Sequence, residues 1–248
     1  MKRIENKRLV LPNFFTVMNM FCGFFAIVKI LQKNFVIGSW LIILASLFDA
    51  LDGKMARYIN KGSKFGIEFD SMADFISFGA APSILIYLLY LYEFENLGIF
   101  LSFIPLVCGG FRLARFNITP VFLKKDSFIG LPIPLYAITI SSFVILNYDL
   151  WNTMKLNHLS IPMILILSIL MISKVKYEKL PQFKFTKNKG NNIKIILVFI
   201  SFIIISLFKG KAIFPLMVIL ILFGIVKWLI NLAKNPEEDK VADTSTYE

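Results

Sequence analysis

The sequence predicts an all-α fold: a polytopic membrane helical bundle of about eight transmembrane helices, with both termini cytoplasmic. Three observations carry that expectation. Of the 248 residues, 57% are hydrophobic and 17% charged, where soluble domains run at roughly 45–50% apolar and about 25% charged. The charges are clustered, so long uncharged runs lie between them. Many of those runs approach ~20 residues, the length that carries a helix rising 1.5 Å per residue across ~30 Å of hydrocarbon. A soluble chain of this length would form one or two domains, whereas helices sharing one bilayer form a single unit. Residues 1–234 are therefore read as one membrane domain and 235–248 as a polar, acidic tail.

The expected spans run at about 14–32, 35–58, 71–92, 97–115, 131–149, 159–175, 193–208 and 213–233. The first follows Lys2, Arg3, Lys7 and Arg8 as a signal peptide would. Its apolar part is too long for one, however, and no small-x-small pattern follows, so it reads as a permanent span. Pro105, Pro132, Pro134, Pro162 and Pro215 lie in or at the ends of spans, where neighbouring groups satisfy the freed carbonyls. Orientation follows from the basic residues, which short loops retain on the cytoplasmic side. Lys54, Arg57, Lys61 and Lys64 lie at or just beyond the end of the second span, Arg112, Arg115, Lys124 and Lys125 at or beyond that of the fourth, and a run from Lys174 to Lys194 at and beyond that of the sixth. The opposite loops hold only Lys33, Lys155, Lys209 and Lys211.

A formal charge of +11 could suggest nucleic acid, but that needs a continuous basic face, and these residues sit in short loops between apolar stretches. Anionic lipid headgroups are the expected partner instead. The same holds for the Lys174–Lys194 segment, whose Tyr177, Phe183 and Phe185 are read as part of a solvated loop on an anionic leaflet. The 26 Phe residues are lipid-facing and belt residues with no site role. Cys22 and Cys108 fall inside apolar runs, which disfavours a disulfide or a thiolate metal site.

The acids carry the chemistry. Only 16 carboxylates exist, yet Asp49, Asp52, Asp70 and Asp74 gather where the second span ends and the third begins. At 100° per residue, Asp49 and Asp52 project about 60° apart, with Gly53, Ala56 and Arg57 on the same face. Gly66, Asp70, Ala73, Asp74 and Ser77 recur on one face of the third. Joined by a turn near Lys61 to Lys64, the two spans become antiparallel neighbours. Taken singly, each acid also reads as a solvated or locally paired helix-end charge, and each small residue as a packing device. Four acids in register are different, because in a partly desolvated pocket they repel one another unless cations neutralise them. A pair of divalent metals resolves the conflict. All-oxygen ligation favours Mg²⁺, Mn²⁺ or Ca²⁺ over zinc, and the one histidine, His158, lies in an outer loop.

The segment reads D49-x-x-D52-G53-x-x-A56-R57, eight residues, then G66-x-x-x-D70-x-x-x-D74, and so resembles the signature of the CDP-alcohol phosphatidyltransferase family. The resemblance covers roughly residues 9 to 180. It implies an enzyme of the prokaryotic inner membrane, with its site facing the cytoplasm, that passes the lipid phosphate of a CDP-linked lipid to an alcohol and releases CMP. It implies two divalent cations, Mg²⁺ or Mn²⁺, held by Asp49, Asp52, Asp70 and Asp74. It also implies that Asp74 is the base, and that Gly53, Ala56, Arg57, Gly66 and Ser63 lie against the CDP-lipid. Asn13 and Thr16, three apart at the start of the first span, either cap that helix or touch the nucleotide.

Three flanking stretches, Leu11 to Gly23, Gly110 to Asn117 and Gly130 to Pro134, resemble the serine-using bacterial and archaeal branch. That likeness implies CDP-diacylglycerol and L-serine as substrates, with glycerol 3-phosphate as the alternative acceptor. Arg112 and Arg115, on one helix face, then bind the acceptor or a lipid phosphate, or else act as positive-inside anchors. The partners expected are these two substrates, anionic lipids and a second copy of the chain in a homodimer, without nucleic acid. The rival from another class is a cation transporter, whose acids would lie near the midplane. Asp49 is already about 21 Å along its span from Phe35, which places it at headgroup depth.

Overall fold

In the computed structural model the described residues are 2–59, 64–118, 127–178 and 210–234. They form a membrane helical bundle. The element order is α1 (Lys2–Leu31), α2 (Phe35–Ile59), α3 (Lys64–Asp74), a π-helical turn (Phe75–Ala80), α4 (Ala81–Leu89), a 3-10 turn (Leu91–Phe94) and α5 (Glu95–Ile118). There follow β1 (Ser127–Ile129), α6 (Ile133–Trp151), a 3-10 turn (Asn157–Leu159), α7 (Ser160–Ile172), β2 (Lys176–Glu178) and α8 (Ile213–Lys234).

Six helical stretches among the described residues are long and apolar enough to cross a membrane: Phe14–Leu31, Phe35–Met55, Lys64–Leu89, Leu91–Ile118, Ile133–Trp151 and Ile213–Ala233. The expected sixth span is a shorter apolar helix, Asn157–Ile172. The expected seventh, 193–208, lies outside the described residues. The third span starts at Lys64 rather than near residue 71, because the polar residues between Lys64 and Asp74 continue one helix toward the site instead of forming a loop.

α1 and α2 pack along one another, α3 and the π turn lie on α1, α2 and α8 flank α6, and α7 packs on α5. The centre is filled by Phe78, Tyr136, Leu85, Ile30 and Ile42, all fully buried. Phe24, Phe100, Phe111, Ile169 and Phe223 point outward, as an apolar solvent allows. Pro132 caps α6 and Pro134 falls in its first turn, where a missing N–H costs nothing. Asn152, with φ of 54°, ends it in a left-handed cap, its N–H bonded to the Tyr148 carbonyl.

Two three-residue strands join the helical bundle. β1 and β2 pair antiparallel, Phe128 opposite Tyr177, and close a strap across the ends of α5, α6 and α7. Gly130 N–H donates to the Val175 carbonyl at 2.8 Å and Leu131 N–H to that of Leu170 at 2.9 Å. Gly130 has φ of +76°, and a Cβ there would lie 2.3 Å from the Met171 carbonyl oxygen, so glycine is required on both counts. Tyr177, expected in a solvated loop, is instead 3% exposed. Its ring lies against Gly224 of α8, and burial pushes its hydroxyl up to about 12.

Candidate active site

The site lies where α1, α2, α3 and α5 meet, at the end of the bundle at which α1 enters its apolar stretch. Asp49, from the last turns of α2, and Asp70 and Asp74, one turn apart on α3, each present a carboxylate oxygen, and these oxygens all lie within 4.8 Å of one another. Asp74 is buried, at 8% exposure, and Oδ1 of Asp70 is buried with no hydrogen-bond partner among the described residues. Carboxylates this close, with a desolvated oxygen unspent, repel one another. The donor set is all oxygen and suits a hard divalent cation. The three acids can therefore hold a metal.

Asp52 is separate from this trio, although its charge still acts on Asp49 and Asp70. It is 6% exposed and accepts a hydrogen bond from the hydroxyl of Thr16 on α1. Thr16 thus does not cap its own helix, which starts at Lys2; it holds an acid of the neighbouring one. One turn along the same face, Asn19 Nδ2 donates to Asp74 Oδ1 at 3.0 Å. The hydroxyl of Ser77 donates to the Asn19 carbonyl at 2.9 Å. Asn19 was not singled out from the sequence. The available signal was its place three residues after Thr16, as a second polar group on one face of an apolar helix.

Two backbone features bring α1 and α3 this close. A Cβ on Gly23 would lie 2.7 Å from the Cα of Ser77, so the helices touch through bare backbone at that point. Ser77 sits in the π turn that begins directly after Asp74. Pro82 in the next turn has no N–H to give the carbonyl four residues back, and its ring crowds that turn. The widened turn accommodates it, and π turns of this kind recur at functional sites.

Arg112, 7% exposed on α5, is near enough for its charge and that of Asp74 to interact, and its Nε is buried without a partner among the described residues. Arg115 does not share this position. Its guanidinium donates to the carbonyls of Ile172 at 3.0 Å, Ile129 at 3.1 Å and Met171 at 3.4 Å, tying α5 to the open end of α7 and to the strap. Gly53 is exposed beside Asp52, and Gly66 is half-buried one turn before Asp70. The side chains of Asn13, Ala56 and Arg57, and the whole of Ser63, lie outside the described residues. A groove of about 380 Å³ opens between α3 and α5, lined by Glu68, Ser71, Phe75, Gly110 and Leu113 among others. None of the four Asp residues lines it.

Comparison with known proteins places the chain in a family. The profile of the family described as CDP-alcohol phosphatidyltransferase matches residues 9–172. A Helicobacter pylori protein named CDP-diacylglycerol–serine O-phosphatidyltransferase is 36% identical over 233 residues, covering 92% of this chain and 95% of its own. A Methanocaldococcus jannaschii protein of the same name is 35% identical over 225 residues, with 90% and 96% covered. An archaetidylserine synthase from Methanothermobacter thermautotrophicus is 36% identical over 174 residues, with 69% and 70% covered. Every acid of the site falls inside the matched region, and the chain is a membrane enzyme that belongs to the CDP-alcohol phosphatidyltransferase family.

Proposed function

We propose that this chain transfers the phosphatidyl group of CDP-diacylglycerol to the hydroxyl of L-serine, forming phosphatidylserine and releasing CMP at the cytoplasmic face of a prokaryotic inner membrane. The observation that carries the reaction class is the meeting of Asp49, Asp70 and Asp74 at one end of a membrane bundle. Support for serine comes from the relatives named for it, two of which match over nine-tenths of the chain or more. The side on which the site opens is supported by the excess of Lys and Arg at that end.

The chemistry is a direct displacement at phosphorus. The seryl oxygen bonds to the lipid-side phosphorus while the bond from that phosphorus to the bridging oxygen breaks, and the electron pair leaves with CMP. Asp49, Asp52, Asp70 and Asp74 would hold two divalent cations, Mg²⁺ or Mn²⁺. When bound, such ions neutralise phosphate charge and stabilise both the entering and the leaving oxygen. Asp74 takes the hydroxyl proton, since Asn19 occupies only one of its carboxylate oxygens. The small side of Gly53 and Gly66 admits the nucleotide, and Arg57 supplies a bidentate phosphate contact. Burial of Asp74 and Arg112 keeps competing water away from the proton transfer.

The test is CMP release by the purified full chain from CDP-diacylglycerol, with Mg²⁺ or Mn²⁺, over a panel of alcohols. Serine-dependent release is expected. Release with glycerol 3-phosphate and none with serine would leave the family intact and remove the serine assignment.

A further inference from the structure

We infer that Asn19 selects the acceptor by binding its ammonium group, so that one amide both steadies Asp74 and recognises an amino alcohol. This inference deepens the serine reading and rests on it. Asn19 is completely buried in an otherwise apolar stretch of α1. A carboxylate can only accept, so the amide must turn its NH₂ toward Asp74, to which it donates at 3.0 Å. That contact fixes the other end of the amide. Oδ1 of Asn19 is buried and has no hydrogen-bond partner among the described residues. Buried amide acceptors are nearly always paired, because leaving one unmade is costly.

The unspent groups around Asp74 are complementary to a zwitterion. Asn19 Oδ1 is an acceptor, Arg112 Nε is a donor on a buried cation, and both residues act on Asp74. Serine carries its hydroxyl one carbon from the carbon that bears the ammonium and the carboxylate. With the hydroxyl at Asp74, the ammonium falls to the amide oxygen and the carboxylate to the arginine. A neutral amide does this without adding a fifth negative charge to a cluster that already holds four. An acceptor carrying a phosphate dianion would have no use for the amide oxygen.

The experiment compares L-serine with 3-hydroxypropionate, which is serine without the amine, in the CMP-release assay, using wild type and Asn19→Leu. A site built to hydrogen-bond a substrate group strongly rejects an analogue that lacks it. The wild-type preference in kcat/KM for serine is thus expected to be at least about a hundredfold. In Asn19→Leu that preference falls to less than about tenfold, mainly through a raised KM for serine, while kcat drops with both alcohols because Asp74 has lost its partner. Asn19→Ala adds no bulk and reads the same ratio if the Leu variant fails to accumulate in the membrane. If kcat falls equally with both alcohols and the ratio stays at its wild-type value, Asn19 only supports Asp74 and the inference is wrong. A wild type with no preference overturns it as well. Failure of wild type to use serine at all, with CMP released to another alcohol, brings down the serine reading itself.

Discussion

Thr16 and Asn19 lie one turn apart on α1, and each holds a different acid, Asp52 and Asp74. The four aspartates are therefore unequal. Asp49, Asp70 and Asp74 converge, so their replacement by Asn removes ligand charge where it concentrates. CMP release is expected to fall by at least about a hundredfold in each, equivalent to about 2.7 kcal/mol of transition-state stabilisation. Thr16→Val removes one hydrogen bond to a charged group, worth about 1.5–3 kcal/mol. It is expected to lower kcat/KM about tenfold or more while leaving the trio in place. Equal losses in Thr16→Val and Asp70→Asn would show that Asp52 stands with the trio. Chelation is expected to abolish release, and added Mg²⁺ or Mn²⁺ to restore it; activity that survives exhaustive chelation would remove the metal role. The spacing of the acids was legible because a helix repeats every 3.6 residues. The partners of Asp52 and Asp74 were not, since they lie 36 and 55 residues away and an isolated Thr or Asn in an apolar run reads as ordinary helix packing.

At the level of elements, the contact between α1 and the π turn depends on the absence of a side chain at Gly23. Gly23→Ala would drive a methyl group to 2.2 Å from the Ser77 hydroxyl oxygen and 2.7 Å from its Cα, so backbone must move. The cost of such overpacking is about 1–3 kcal/mol. Because the shift falls beside Asn19 and Asp74, activity is expected to drop by more than the amount of folded protein does. CMP release per folded molecule, with folding read from thermal unfolding in detergent, checks this; unchanged specific activity would show that the contact is merely structural. Arg115 makes the opposite case. Its bonds go to backbone carbonyls at the end of α7 and in the strap, where such carbonyls have no partner within the helix. Arg115→Gln is expected to lower the melting temperature and to leave the serine KM within about twofold of wild type. Arg112→Gln is expected to raise that KM at little cost in stability. The sequence offered the two arginines as equivalents, three apart on one face. Their roles diverge because α7 and the strap approach only one of them. That approach depends on strands of three residues, too short to leave a periodic signal.

The whole molecule turns on a polarity between its two ends. Most of the long apolar runs were legible in the chain because each crossing needs its own quota of uncharged residues, but their limits were not: the third begins at Lys64, where polar residues extend the helix to the site. The strap was not, since it joins segments separated by α6 and α7. Antiparallel neighbours place the end of α2, the start of α3, the end of α5 and the strap on one side, with the carboxylate trio. The turn at Lys33, the segment around Glu93 and Glu95, and His158 fall on the other. The excess of Lys and Arg at the first end predicts that it faces the cytoplasm. Single cysteines placed by His158→Cys, Lys33→Cys and Ser127→Cys test this in intact cells against an impermeant thiol reagent. The native Cys22 and Cys108 are buried and give little background. The reagent is expected to label positions 33 and 158 from outside, and position 127 only after the membrane is opened. Labelling of 127 and 158 from the same side would break the crossing of α6. Uniform inversion of all three would leave the bundle intact and carry the site, with its CDP-linked substrate, to the wrong side of the membrane.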